Sequence, residues 1–280
     1  MQPAEQTLAT PSGTLHYWVS RAESGRPWLV FLPGLTADHT LFEKQMEAFG
    51  PAYNCLVWDP PAHGASRPFA LTFSMEQMAE YLYTILQKEV WQAEPCARLV
   101  LVGQSMGGYL AQVYLTLHPQ GVSGFVSVDS CSLGRSYFTW AELALLKRTK
   151  WMYLSIPWRW LIGWGSRGTA QTQYGQALMR RMMQSYQKTE YCLLADHGYR
   201  IVAQAVEAGK DYRPPCPVLL LCGEKDAAGS ARRYNKCWTA KEGHPLVWVP
   251  GAGHNSNTDA PGFVNRQIEG FCQMLFGAGE

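Results

Sequence analysis

The chain has 280 residues, 47% of them hydrophobic, and a formal net charge of +2. That is apolar material enough for one large domain, while a near-neutral balance without a long basic run argues against a nucleic-acid-binding protein. The eight cysteines stand singly, without C-x-x-C pairs or zinc-like spacing, and read as reduced, packed thiols. No metal and no cofactor is expected. Residues 1–7 carry no cationic segment leading into an apolar one, so no secretory signal is read and a cytoplasmic protein is expected. The most apolar stretch, 151–164, is interrupted by Pro157 and Arg159 and falls short of the ~18 apolar residues of a membrane span.

In chain order, residues 14–19 alternate as a strand does and follow a Pro11-Ser12-Gly13 turn, which predicts a hairpin. Residues 28–32 form a continuous apolar run ended by Pro33-Gly34, the pattern of a strand buried on both faces. The tight loop after it can bring the Leu35 N–H into a site. A helix is predicted over 38–49 and a strand over 56–58, followed by a turn-rich loop over 59–68 of the kind that lies over a site. Helical spacing of Met78, Leu82, Ile85, Leu86 and Val90 predicts an amphipathic helix over 75–91.

The next stretch organises the rest. Leu99-Val100-Leu101-Val102 runs into Gly103-Gln104-Ser105-Met106-Gly107, and Tyr109, Leu110, Val113, Tyr114 and Leu117 then repeat at helical spacing. A serine at so sharp a strand-to-helix turn takes a sparsely populated backbone conformation and exposes its hydroxyl, and the flanking glycines remove side chains that would collide. The free N–H groups at the helix start, Met106 among them, face any negative charge forming beside Ser105.

A strand follows at 124–128, ending at Asp129-Ser130, and there the strand–helix alternation stops. From 133 to 200 the chain is aromatic, Met-rich and basic, with ten Lys or Arg against three Asp or Glu and no strand-like run. We read 132–205 as a helical insertion capping a core made of 1–131 and 206–280. Sheet rhythm returns with strands at 217–222 and 246–249, a helix over 230–241 between them, and a closing helix over 261–276. The alternation predicts an α/β fold with a mostly parallel central sheet covered by helices on both faces.

Serine hydroxyl needs a base, and His254 follows a late strand on the glycine-rich loop Gly251-Ala252-Gly253. Asp226, just past the strand at 217–222, is read as the carboxylate that orients it, with Asp129 as the alternative. All three groups then lie beyond the carboxyl ends of parallel strands, where open α/β sheets bind ligands. His63 is read as a turn residue bonded to its own loop. His39, Trp140 and Trp158 are candidate pocket residues.

At these residues the sequence resembles the α/β-hydrolase superfamily, through the elbow at 103–107, the loop at 33–35, the segment 59–66, Gly223-Glu224-Lys225-Asp226 and Gly251-Ala252-Gly253-His254. It departs from the family pattern at Pro33, where His-Gly usually begins, and at Pro61-Ala62, where Arg-Gly is frequent. The resemblance implies a serine hydrolase, carboxylesterase-like, with Ser105 attacking an acyl carbonyl, His254 and Asp226 completing a triad, and the Leu35 and Met106 N–H groups forming an oxyanion hole. The aromatic residues of the cap suggest a small hydrophobic substrate, and its basic balance suggests attraction for a carboxylate, phosphate or anionic surface, with solvated helix faces as the alternative reading of those charges. Diketone-type C–C hydrolysis, thioester hydrolysis and perhydrolysis use the same residues in the superfamily. A ligand-binding receptor without turnover and weak contact of 151–164 with a membrane surface are the readings from other classes.

Overall fold

The apolar runs at 28–32 and 99–102 become the centre of the sheet. A computed structural model describes residues 3–22, 24–209 and 212–277. In it β3 (Trp28–Leu32) and β5 (Leu99–Gln104) are buried at every position and pair in parallel, Leu29 opposite Val100 and Phe31 opposite Val102. With β1 (Ala4–Thr10), β2 (Gly13–Ser20), β4 (Asn54–Trp58), β6 (Val122–Val128), β7 (Val218–Gly223) and β8 (Leu246–Val249) they form an eight-stranded sheet ordered β1-β2-β4-β3-β5-β6-β7-β8. Among the described residues, only the β1–β2 and β2–β4 pairings of this sheet are antiparallel. The mostly parallel sheet read from the alternation is the architecture observed.

β1 left no sequence signal because it is an edge strand exposed along most of its length, so no side had to be apolar. Its partner is β2, in the hairpin expected at Pro11-Ser12-Gly13.

Core helices are α1 (Glu43–Phe49), α2 (Met75–Leu86), α3 (Met106–Leu117), α9 (Ala231–Glu242), α10 (Ser256–Asp259) and α11 (Pro261–Phe276). The helix predicted over 38–49 is broken at Phe42: Asp38 caps a tighter turn, His39–Phe42, before α1 begins. The one predicted over 75–91 widens after Leu86 into a π-turn, Gln87–Trp91. α2 packs on α3, and α1 on α11.

Between β6 and β7 lie α4 (Trp140–Leu146), α5 (Lys150–Ser155), α6 (Trp158–Thr169), α7 (Gln173–Gln184) and α8 (Lys188–Ala208), with no strand among the described residues there. α8 runs unbroken through position 205. α4 and α5 pack on α8, α6 on α7, and α8 reaches back to α3 of the core.

The loop after β4 is organised by Asp59, whose side chain is wholly buried. It accepts hydrogen bonds from the N–H groups of His39 and Ala65, each 2.6 Å, and lies 2.9 Å from His39 Nδ1. His63 donates from Nδ1 to the Pro61 carbonyl at 2.9 Å, within its own turn, and burial pushes its ring down to about 4. Replacing the Asp59 side chain removes the shared acceptor of two part-buried N–H groups and the partner of the His39 ring at once. Asp59→Ala is therefore expected to lower the unfolding free energy by about 3 kcal/mol, read as a reduced denaturant midpoint with unchanged slope.

Candidate active site

Ser105 is the residue at which β5 turns into α3, with φ 49° and ψ −116°. A non-glycine residue held there stores on the order of 1–3 kcal/mol, so its surroundings must fix it. They do so with the Ser105 N–H on the Val128 carbonyl (3.0 Å), and the Ser130 hydroxyl and Gly108 N–H on the Ser105 carbonyl (2.7 and 2.9 Å). A Cβ at Gly103 would stand 2.6 Å from the Gly107 carbonyl carbon, and one at Gly107 would stand 2.6 Å from the Leu32 carbonyl carbon. Both contacts are closer than real side chains make. The two glycines thus let α3 start directly against β5 and β3.

His254 Nε2 lies 2.8 Å from Ser105 Oγ, and His254 Nδ1 lies 3.0 Å from Asp226 Oδ2. The Asp226 side chain is fully buried, and its Oδ1 accepts the Ala228 N–H at 2.8 Å, which fixes the carboxylate plane. Burial acts to lower the His254 pKa. The charge and hydrogen bond of Asp226, backed by the charge of Asp129, outweigh it and set the ring above histidine's ordinary 6.5.

Asp129 does not contact the ring. Its two oxygens accept N–H groups from Gly223 (2.7 Å) and Ser256 (2.8 Å), so it ties the end of β7 to the start of α10. Burial, then the neighbouring Asp226 charge, pushes its carboxyl above the usual range. Two clusters, Asp38/His39/Asp59 and Asp129/Cys222/Asp226, bring potential metal ligands within 4.8 Å of one another. In both, carboxylate oxygens are already taken up by N–H donors, and burial raises the Cys222 thiol, away from the thiolate a metal binds. The donor sets fit hydrogen bonding better than metal ligation.

The loop after β3 presses on the elbow: a Cβ at Gly34 would stand 3.1 Å from Ser105 Cβ. Leu35 follows at once, and Met106 opens α3, where an N–H has no acceptor within its helix. Both N–H-bearing residues therefore flank the serine. From above, α8 holds this loop. Its Gly198 leaves space for the Leu35 side chain, and its Tyr191 hydroxyl accepts from Thr36 Oγ1 at 3.5 Å. Trp158 packs on Tyr191, with ring centroids 5.2 Å apart, and so lies behind the residue that meets this loop. The other two pocket candidates do not. His39 is bonded to Asp59 and stacked on Trp18, and Trp140 at the start of α4 is 77% exposed.

Two residues that no spacing rule picks out hold the histidine loop. Gln104, just before the serine, donates from Nε2 to the His254 carbonyl (2.9 Å) and to Asn255 Oδ1 (3.2 Å). Asp259 accepts from the Gly253 N–H (2.8 Å) and from the Gln171 and Thr172 N–H groups at the α6–α7 turn (each 2.8 Å). The Asn255 N–H adds a bond to the Thr169 carbonyl at 2.8 Å. The loop carrying His254 is thereby anchored to the elbow on one side and to the insertion on the other.

Comparison with known proteins agrees with this architecture. A family model described as the alpha/beta hydrolase family matches residues 29–267. The 2-succinyl-6-hydroxy-2,4-cyclohexadiene-1-carboxylate synthase of Serratia proteamaculans is 25% identical over 268 residues, 90% of this chain and 96% of that protein. Among solved structures, an esterase from Thermogutta terrifontis superposes with a TM-score of 0.74 at 19% identity, covering 98% of this chain and 99% of the other. The enol-lactonase from Burkholderia xenovorans does so with 0.70 at 19%, covering 96% and 100%. With most of its length matched, the chain belongs to the α/β-hydrolase family and is an enzyme of the hydrolase type.

Proposed function

We propose that the protein hydrolyses a carboxylic ester, or a related acyl bond, of a small apolar substrate through an acyl-enzyme on Ser105. The observation that carries this reading is the continuous hydrogen-bonded line Ser105 Oγ, His254 Nε2, His254 Nδ1, Asp226 Oδ2, at 2.8 and 3.0 Å. In the first half-reaction His254 takes the hydroxyl proton as Oγ attacks the acyl carbon, and the Leu35 and Met106 N–H groups receive the oxyanion. His254 then returns the proton to the leaving alkoxide. In the second half it deprotonates water, which attacks the acyl carbon; the acyl–Oγ bond breaks, His254 returns the proton to Ser105 Oγ, and the acid is released. The residues 132–205 act as a cap over this centre, with Trp158 and Tyr191 beside the oxyanion loop and a basic field that favours an anionic end on the substrate.

A second reading draws on the relatives named as synthases of a cyclohexadiene carboxylate, which match this chain over most of both lengths. On such a compound the Ser105–His254 pair would serve as a base and no acyl-enzyme would accumulate. Rapid mixing with a nitrophenyl ester separates the two. The ester reading expects a burst of nitrophenol stoichiometric with enzyme or a steady turnover that depends on chain length, and the absence of both would overturn it.

Three outcomes follow for that ester assay. Ser105→Ala is expected to lower kcat/KM by at least on the order of ten-thousandfold. Asp226→Asn should cost about ten-thousandfold, because it leaves the imidazole in the wrong tautomer, whereas Asp129→Asn should act mainly through stability. Because only neutral His254 accepts the serine proton and its pKa is raised, kcat/KM should fall as pH drops, with the inflection above 6.5. An inflection below that value would contradict the charge arrangement around His254.

A further inference from the structure

Three of the insertion's ten basic side chains stand together where no acid among the described residues answers them. α6 and α7 border an open cleft of about 530 Å³ lined by Arg159, Trp160, Trp164, Arg167, Arg180 and Gln184 among others. All six of these side chains are exposed. Among the described residues none of the three arginines makes an ion pair or hydrogen bond. The insertion's three acids are committed elsewhere: Glu142 to Arg233, Glu190 to Arg67, and Asp196 to Arg200 and the Lys150 N–H.

Two tryptophans share this cationic cleft. Trp160 and Trp164 are 50% and 55% exposed, with ring centroids 5.9 Å apart, while Leu161, about a quarter-turn round α6 from them, is buried. α5, immediately before, leaves Trp151 76% and Met152 48% exposed. Exposed indoles among unpaired arginines on a surface helix are what an interfacial helix presents to a bilayer, the rings entering the headgroup layer and the guanidinium groups meeting phosphates. No arginine in the cleft is buried, so it is not built as a pocket for one small anion. The indoles are tilted by 43° to each other and do not form the parallel platform on which successive bases stack.

From this complementarity we infer that the α6–α7 face docks the enzyme on an anionic phospholipid bilayer. The docking is peripheral, since no helix among the described residues is long and apolar enough to cross a membrane. It is independent of the serine chemistry. It also places the α6–α7 turn, which Asp259 ties to the His254 loop, next to the lipid surface.

Co-sedimentation of the full chain with vesicles of phosphatidylcholine alone, or mixed with phosphatidylglycerol, tests this directly. Binding is expected only to the mixed vesicles, and to weaken at least about tenfold when molar salt shortens the screening length from about 10 Å to about 3 Å. The triple variant Arg159→Gln/Arg167→Gln/Arg180→Gln should bind roughly a hundredfold more weakly, with an unchanged melting temperature. Trp160→Ala/Trp164→Ala should weaken binding even at low salt, and Ser105→Ala should leave it unchanged. Equal binding to both vesicle types, undiminished binding by the folded triple variant, or tighter binding to a single-stranded oligonucleotide than to the anionic vesicles would overturn the inference.

Discussion

Everything at the carboxyl edge of the sheet depends on one turn being too tight for side chains. With Gly103 and Gly107 in place, α3 begins against the ends of β5 and β3, and Ser105 is left at φ 49° with its hydroxyl outward. The strain is modest beside the stability of a domain, and three backbone-directed hydrogen bonds offset it. The same close approach fixes the helix N-terminus beside the serine. The proposed nucleophile and the proposed oxyanion donors are thus positioned by one constraint, and a change at either glycine would disturb both.

The second partner in the site, the His254 loop, comes from some 150 residues further along the chain and is placed by polar ties rather than by packing. Gln104 binds its carbonyl, Asp226 its ring, Asp259 the preceding N–H, and Thr169 the following one. Each such bond contributes about 1 kcal/mol, so no single tie holds the loop, but together they define the ring's position closely. Two of the four reach into the insertion. The α6–α7 turn therefore belongs mechanically to the site, although its outer face carries an unrelated surface chemistry.

The fold, and the residues that the structure joins in the hydrogen-bonded line Ser105–His254–Asp226, were largely legible because they rest on local signals. Buried parallel strands read as apolar runs, and the Ser105 elbow, Asp226 and His254 each follow such a run on a glycine-marked turn. What the sequence hid was whatever depends on distant geometry. Asp129 and Asp226 both stand past strand ends, and only the fold separates the one that clasps Gly223 and Ser256 from the one that meets His254. Gln104 looked like a spacer within the elbow, and Asp259 like a helix-end acid, because the amides they serve are remote in sequence. His39 and Trp140 were aromatic residues of the right kind in the right segments, yet Asp59 takes one and solvent the other. β1, exposed on its edge, had no pattern to read.

The claim on which this account stands is that Ser105 is an activated nucleophile in the folded enzyme. Intact-mass measurement after treatment with a small serine-directed phosphonate, beside a Ser105→Ala control, tests it without a guess about substrate. The account predicts a single covalent adduct on the wild-type chain and none on the control. A wild-type chain that stays unlabelled, or a control that labels equally, would contradict it.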